Sequence, residues 1–360
     1  MLDARVWFGW ALTTLVAASA TRNPLYIVIL LLTTMVVGGM CAAGEGRRAP
    51  LSPLRFAVVA VPLSALFNAL TVHLGDTVLL HLPGWIPLLG GAITLEALTF
   101  GALNGLTLTV IFAAFSVFNQ VTPVRDLIKL TPRAFHEGGV VLSIALTFIP
   151  QTTRSLQRIR EAQAVRGHRV RGIRDWLPIV VPLLVSGLER AMGLAEAMVA
   201  RGYGAVSSQK QPFRTQALII MGLLTLLAGW LAYLFSAAWR APAIAVIAFG
   251  AVTIGLAIWL TGRGINHTVY RARSWTAGDS FALLGCAVTL VAASRGRAAL
   301  YYSPYPVLTL PSFDPLLGLA MLGLLVPAIV TVVREDAKMD RDREESDGFS
   351  KQPQTSTDHG

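Results

Sequence analysis

Two segments of the chain repeat one pattern of charged and small residues. Residues 161–167 read Glu-Ala-Gln-Ala-Val-Arg-Gly and residues 196–202 read Glu-Ala-Met-Val-Ala-Arg-Gly, 35 positions apart. An arginine presents a planar fork of N–H donors that matches carboxylate or carbonyl oxygens on another protein. Two such arginines therefore predict a two-lobed, pseudo-symmetric protein partner. The candidate partner-binding residues are Glu161, Ala162, Val165, Arg166, Gly167, Glu196, Ala197, Ala200, Arg201 and Gly202.

The first segment ends a predicted helix that lies outside the membrane. Residues 154–174 hold seven arginines, opposed within that stretch only by Glu161. Each arginine at the centre of a bilayer costs about 3 kcal/mol, so this stretch cannot span one. Apolar residues recur at every third position after Pro150, which predicts a helix that Gly167 ends. The residues of this narrow apolar stripe are Leu156, Ile159, Ala162 and Val165.

A second predicted helix covers residues 178–201 and ends before Gly202. Pro178 and Pro182 suit its first turns, and four charged residues later in the segment make it amphipathic. A cation followed by glycine is also a common helix cap, and that alone explains one copy of the pattern. Both copies, however, carry a glutamate five positions before the arginine, which favours a functional site over two caps.

Composition places these helices in a membrane protein. The 360 residues are 54% hydrophobic and only 14% charged, whereas soluble domains carry about 25% charged residues. The net charge of +10 is concentrated at the ends of apolar runs and in the central arginine-rich block. Anionic lipid headgroups and a cytoplasmic protein explain this distribution better than nucleic acid does.

Apolar runs predict an all-α, polytopic membrane protein of about eight spans in the cell membrane. A shorter run, residues 6–20, is read as a retained helix in preference to a signal peptide. The other predicted spans are residues 24–41, 54–73, 92–118, 213–235, 241–261, 277–293 and 313–333.

Arginine placement predicts that both termini lie inside. Loop 74–86 has no Lys or Arg and is predicted to face outside, whereas Arg47, Arg48, Arg271 and Arg273 are predicted inside. Arg295 and Arg297 are exceptions to the rule. The predicted divisions are N-terminal spans in 1–118, the cytoplasmic helix pair in 119–212, C-terminal spans in 213–333 and a disordered tail in 334–360.

Other polar residues give weaker predictions. His73, Asp76 and His81 match no established metal-ligand spacing, so no metal site is predicted. Glu96, near the start of a span, fits either a functional intramembrane acid or an interfacial carboxylate. None of the four lysines follows a glycine, so the Walker motif is missing and no cofactor is predicted.

The two motifs resemble those of the transmembrane T component of energy-coupling factor transporters. That family is marked by two Ala-Arg-Gly motifs at the ends of two cytoplasmic coupling helices. The second copy here is Ala200-Arg201-Gly202, and the first has valine in place of alanine, Val165-Arg166-Gly167. Further similar segments are Arg22-Asn23-Pro24-Leu25, residues 123–128, Leu146-Thr147-Phe148-Ile149-Pro150 and Glu161-Ala162-Gln163.

The resemblance implies partners and a role. Two ATPase subunits would bind the coupling helices, with Arg166 and Arg201 each entering one ATPase. A separate small membrane protein would capture the substrate, a vitamin or metal micronutrient. The chain itself would be a non-catalytic scaffold in an ATP-driven importer, and the identity of the substrate would rest with the other polypeptide.

Two other functions stay open on the sequence. An ordinary ABC importer permease carries one cytoplasmic Glu-Ala-Ala followed by Gly, which Glu161-Ala162 and Gly167 echo. A membrane enzyme acting on lipid or isoprenoid substrates would need acidic metal-binding motifs, and no Asp-rich pair occurs.

Overall fold

The described part of the chain is 82% helical, which confirms the predicted all-α class. A computed structural model describes residues 2–42, 52–81, 91–131, 135–168, 172–203, 213–235, 240–263, 275–334 and 339. The helices before the central block are α1 (Ala4–Ala20), α2 (Pro24–Ala42), α3 (Pro53–Thr71), α4 (Leu95–Val121) and α5 (Val124–Ile128). The later ones are α6 (His136–Val165), α7 (Leu177–Ala200), α8 (Phe213–Phe235), α9 (Arg240–Arg263), α10 (Ala277–Arg295), α11 (Arg297–Leu300) and α12 (Pro315–Met321).

Eight helices in the described part of the chain are long and apolar enough to cross a membrane. Seven of them correspond to predicted spans, and the last, Pro315–Arg334, extends α12 through a 3-10 turn at Leu322–Leu325. The eighth is Arg174–Ala200, which contains α7 and was predicted to lie outside the membrane. Its length and composition alone permit a span, because its charged residues are few, so its cytoplasmic position stays a prediction. With 17 residues, α1 is shorter than these eight.

The predicted external loop and the start of the third long span differ from the sequence interpretation. Residues Val78–His81 form strand β1, which pairs antiparallel with strand β2 at Ala92–Thr94. The prediction of helix from residue 92 was therefore wrong by three residues. Thr94 instead caps α4, since its hydroxyl accepts a hydrogen bond from the backbone N–H of Ala97.

Contacts divide the chain into two compact units. Unit 1 comprises Met1–Asp126 and Arg271–Gly360, and unit 2 comprises Leu127–Tyr270. In unit 1, α1 supplies two buried tryptophans to the core, and Trp10 Nε1 donates a hydrogen bond of 2.9 Å to the carbonyl oxygen of Leu324. The first and last helices of the chain are thereby joined in one core.

Asn23 holds the turn between α1 and α2 in unit 1. Its side chain is fully buried, and Nδ2 donates to the carbonyl oxygens of Ala299, at 3.0 Å, and Ser312, at 2.7 Å. Its Oδ1 accepts from the backbone N–H of Leu25 at 3.1 Å. One side chain therefore satisfies backbone groups from three segments.

Small residues bring α3 and α4 close together within unit 1. A Cβ atom built on Gly101 would lie 2.6 Å from the carbonyl oxygen of Ser64, and one on Gly105 would lie 2.7 Å from Cα of Val61. Gly101 and Gly105 form the G-x-x-x-G spacing that lets helices of membrane proteins pack backbone to backbone.

Unit 2 contains two helix pairs. Gly250 of α9 approaches α8 so closely that an added Cβ would lie 2.8 Å from the backbone nitrogen of Leu226. The other pair, α6 and α7, carries the repeated motifs. Several sequence predictions concern segments outside the described residues. They are the cytoplasmic placement of Arg47, Arg48, Arg271 and Arg273 and the disordered tail beyond Arg334.

Candidate functional site

The two repeated motifs end their helices with one geometry. Gly167 and Gly202 both have φ of 78°, the left-handed conformation that glycine adopts without a steric penalty. The N–H of Gly167 donates to Ala164 O and that of His168 to Gln163 O, each at 2.9 Å. Gly202 and Tyr203 repeat both bonds after α7. Each helix thus ends in a Schellman motif, as the glycines predicted.

Each arginine lies between the last helical residue and that glycine. Arg166 and Arg201 are the C-caps of α6 and α7, and both are exposed. Within the described part of the chain, no carboxylate lies within 4.0 Å of either guanidinium group. The donors of both side chains are therefore available to a group outside this chain.

All ten residues predicted from the two motifs are exposed to solvent. Val165 keeps 91% of its surface accessible, although it continues the apolar stripe on α6. Leu156 and Ile159 of that stripe are half-buried, whereas Ala162 is exposed. The stripe therefore packs only at its start, and the last turn of α6 projects as a free tip.

The structure places two other residues where α6 and α7 meet. Arg190 of α7 donates a hydrogen bond of 3.1 Å to Oγ of Ser155 on α6, and Ser155 is buried. Each residue lies 11 positions before the arginine at the tip of its own helix. No local sequence pattern marks this pair, although its 35-residue separation equals the offset between the motifs.

The connection between the two helices is held by contacts of its own. His168 Nε2 lies 2.7 Å from the carbonyl oxygen of Asp175, which belongs to the 3-10 turn Ile173–Trp176. The guanidinium carbon of Arg160 lies 5.9 Å from the centre of the Trp176 ring, a cation–π distance. Helix, turn and helix therefore form one structural element.

The helix α6 is longer than predicted. It begins at His136, so Pro150 lies in its interior and does not precede it, which corrects the predicted start. Proline in a helix removes one backbone hydrogen bond and usually bends or ends the helix, which is why the sequence suggested a boundary there. The prolines of α7, by contrast, lie in its first turns as predicted.

One face of α7 carries an exposed apolar stripe. Its members recur at three- and four-residue spacing as far as Met192, and Val199 follows two turns later, which places them along one side of the helix. More than half of the surface of each is accessible: Leu177, Val181, Leu184, Leu188, Met192 and Val199. A surface of this kind requires contact with lipid or with apolar parts of a partner.

The two buried acids of unit 1 stabilise chain turns. Glu96 accepts hydrogen bonds from Oγ1 of Thr77 at 2.6 Å and from the backbone N–H of Thr77 at 3.2 Å. Asp279 accepts from the backbone N–H of Asp3 at 3.2 Å and pairs with Arg334 at 3.7 Å. Glu96 lies in the first turn of α4, at the position in the helix that the sequence indicated.

His73, Asp76 and His81 belong to the described part of the chain. Among the described residues, no group of three or more His, Cys, Asp or Glu side chains is arranged to hold a metal ion.

Comparison with known proteins identifies relatives. The family described as Cobalt transport protein (CbiQ) matches residues 2–213. An energy-coupling factor transporter transmembrane protein EcfT of Bacillus selenitireducens is 30% identical over 222 residues, which are 56% of this chain and 78% of the relative.

Two further proteins with the same name match shorter stretches. That of Heliobacterium modesticaldum is 33% identical over 177 residues, 42% of this chain and 66% of the relative. That of Streptococcus thermophilus is 34% identical over 112 residues, 29% of this chain and 41% of the relative. The chain thus spans less than two thirds of these two relatives.

The family match covers more than half of the chain and includes both arginine motifs. The chain belongs to the CbiQ family of cobalt transport proteins, and the resemblance to transmembrane T components that the motifs indicated is confirmed.

Proposed function

We propose that the chain is the transmembrane T component of an energy-coupling factor importer, which uses ATP hydrolysis to take up a vitamin or metal micronutrient. The observation that carries the proposal is the pair of exposed arginines, held by identical glycine caps at the ends of α6 and α7. The family match and the name of the relatives support it. In this proposal the chain is a non-catalytic scaffold without a cofactor.

The partners at the helix tips are two ABC-type ATPase subunits. Each subunit receives one tip, with Arg166 bound by the first ATPase and Arg201 by the second. A guanidinium at a capped helix end offers several donors from a fixed base, which suits carboxylate or carbonyl oxygens in a groove. The neighbouring motif residues Glu161, Ala162, Val165 and Gly167, with Glu196, Ala197, Ala200 and Gly202, form the surface around these contacts.

A small membrane protein is the third partner and captures the substrate. The exposed apolar stripe on α7 supports this part of the proposal, since it offers a surface for apolar segments of another membrane protein. Movement of the ATPases then reaches the capture subunit through the α6–α7 element.

The permease of an ordinary ABC importer is the alternative. It carries one copy of the cytoplasmic motif, whereas α6 and α7 end in two copies with the same φ and hydrogen bonds. Copurification separates the two functions. A membrane-embedded capture protein is expected to copurify with this chain, and recovery of an extracellular or lipid-anchored binding protein in its place would favour the permease.

The coupling contacts are tested by charge reversal. Arg166→Glu and Arg201→Glu, co-expressed with the candidate ATPase subunits of the same organism, are expected to weaken ATPase copurification by about 30-fold or more each. The double variant is expected to lose ATP-dependent uptake while its amount in the membrane fraction stays normal. Arg174→Glu is the matched control, because Arg174 is exposed in the same region but lies away from a helix tip. Uptake at the wild-type rate by the double variant would falsify the proposal.

A further inference from the structure

A cavity lies between α6 and α7, away from the helix tips. Its volume is about 260 Å³, and it is lined by Gln151, Arg154 and Arg158 of α6 and by Arg190 of α7. Successive spacings of three and four residues place the α6 members on one face of that helix. These four residues form the arginine pocket.

Positive charge in the arginine pocket is not balanced by acidic residues of the described chain. Among those residues, no carboxylate lies within 4.0 Å of the three guanidinium groups. Arg190 is half-buried and fixed by its bond to Ser155, whereas Arg154 and Arg158 are exposed. Cations gathered around one cavity repel each other unless an anion lies between them, so the arrangement favours a bound anion.

The donors in the arginine pocket suit phosphate oxygens. Guanidinium groups donate pairs of parallel N–H bonds, and phosphate is one of the two anions whose geometry accepts them. The Gln151 side chain adds a neutral amide donor. At about 260 Å³ the cavity is slightly smaller than a pocket for a drug-sized molecule, which runs from about 300 Å³ upward, and it suits a headgroup.

The exposed apolar stripe on α7 gives the pocket an apolar neighbourhood. The stripe is exposed, and such an amphipathic helix suits the boundary between water and an apolar phase, where arginines reach the level of lipid phosphates. Basic pockets between helices on the cytoplasmic side of membrane proteins bind anionic headgroups.

We propose that the arginine pocket binds a phosphate group, carried by an anionic phospholipid or by inorganic phosphate. The site differs from the proposed ATPase contacts, because Arg166 lies eight residues beyond Arg158, about 12 Å further along the helix axis. The inference therefore does not rest on the proposed function.

The test uses the purified full-length chain and native mass spectrometry with added lipid. We expect wild-type protein to retain phosphatidylglycerol in preference to phosphatidylcholine. The double variant Arg154→Gln/Arg158→Gln is expected to bind phosphatidylglycerol about tenfold more weakly, because charge-assisted bonds are lost. Arg160→Gln/Arg174→Gln is the control, which removes the same charge from the same segment outside the pocket and is expected to bind normally. Because it also removes the Arg160–Trp176 contact, normal binding shows that neither the net charge nor that contact determines lipid binding.

A second arm identifies the source of the phosphate. Inorganic phosphate is titrated into wild-type protein with and without phosphatidylglycerol. If inorganic phosphate displaces the lipid, or if only the lipid binds, the result supports a lipid headgroup as the ligand. If only inorganic phosphate binds, and its binding depends on the pocket, the result supports the free anion. Equal loss in both double variants, or loss in neither, would overturn the proposal.

Folding and partner contacts are checked on the same samples. Both double variants are expected to give wild-type helicity and a single monodisperse species, since the four substituted side chains are exposed. If the pocket variant retained lipid and phosphate normally but lost ATPase copurification, the pocket would be a protein contact and the phosphate site would be rejected.

Discussion

Arg190 and Ser155 are joined by a hydrogen bond at equal distances from the two helix tips. Each lies 11 residues before the terminal arginine of its helix, about 16 Å along the axis. The segments of α6 and α7 between this contact and the two arginines are therefore equal in length. Two equal segments suit a partner with two equivalent lobes.

Ser155→Ala is expected to loosen the contact between α6 and α7 without unfolding either helix. The bond involves a charged donor and a buried acceptor, so its loss is expected to cost about 1–2 kcal/mol in the contact between the helices. Spin labels at Gln157→Cys and Ala195→Cys, in a background without Cys41 and Cys286, are expected to show a broader distance distribution. Thr153→Ala is the control, because the Thr153 hydroxyl bonds only to Ile149 of its own helix. Equal distributions in the two variants would contradict a role for the bond.

Alanine at either capping glycine is expected to destabilise a helix tip. A left-handed conformation costs about 1–2 kcal/mol for a residue with a Cβ, and a Cβ at Gly167 or Gly202 would meet no atom within 4 Å. The effect is therefore conformational, so asparagine is expected to restore part of the stability. Faster hydrogen exchange at His168 and Tyr203 is the measurement.

Gly193→Ala is the matched control for the capping glycines. Gly193 lies inside α7, and its added Cβ would also meet no atom within 4 Å. Because its backbone is helical, alanine is expected to stabilise α7 by about 0.5–1 kcal/mol. If alanine at Gly167 or Gly202 also stabilised the helix tips, the caps would not depend on the left-handed backbone.

Gly101→Ala/Gly105→Ala is expected to force α3 and α4 apart. Both added Cβ atoms would lie within 2.7 Å of α3, closer than any relaxed contact allows, and overpacking of this kind costs about 1–3 kcal/mol. The midpoint of thermal unfolding in detergent is expected to fall. Gly39→Ala in α2, where a Cβ would meet no atom within 4 Å, is expected to leave the midpoint unchanged or raise it slightly, as alanine does inside a helix. A similar fall for both variants would indicate a general helix effect.

Asn23→Asp is expected to destabilise the chain more than Asn23→Ala does. Alanine leaves the carbonyls of Ala299 and Ser312 without their donor, at about 1–3 kcal/mol each. Aspartate also places a carboxylate oxygen against them. Unfolding in denaturant measures both effects, and ATP-dependent uptake per folded molecule is expected to stay normal. A loss of uptake in fully folded protein would instead assign Asn23 a functional role.

The sequence predicted most clearly the features that depend on local composition. The span at residues 213–235 agrees with α8 at both ends, because apolar runs mark helices that meet lipid. The ends of α6 and α7 agree at Gly167 and Gly202, because only glycine adopts that backbone readily.

Features that depend on tertiary contacts were not predictable from local pattern. Pro150 suggested a helix boundary, but α6 continues through it, since packing can outweigh one lost hydrogen bond. The Ser155–Arg190 bond joins residues of ordinary polar type, and only the relative position of two helices makes them partners. The short pairing of β1 with β2 likewise involves strands too brief to show an alternating pattern.

The interior proline of α6 gives this helix a natural hinge. Proline has no amide hydrogen, so the carbonyl of Leu146 lacks its usual helical donor and the rod flexes more easily there. Arg166 lies 16 residues further on, about 24 Å away, so a bend of about 10° at Pro150 swings the tip by about 4 Å. A small bend at Pro150 therefore moves Arg166, at the end of α6, by a distance comparable with the size of an arginine head group.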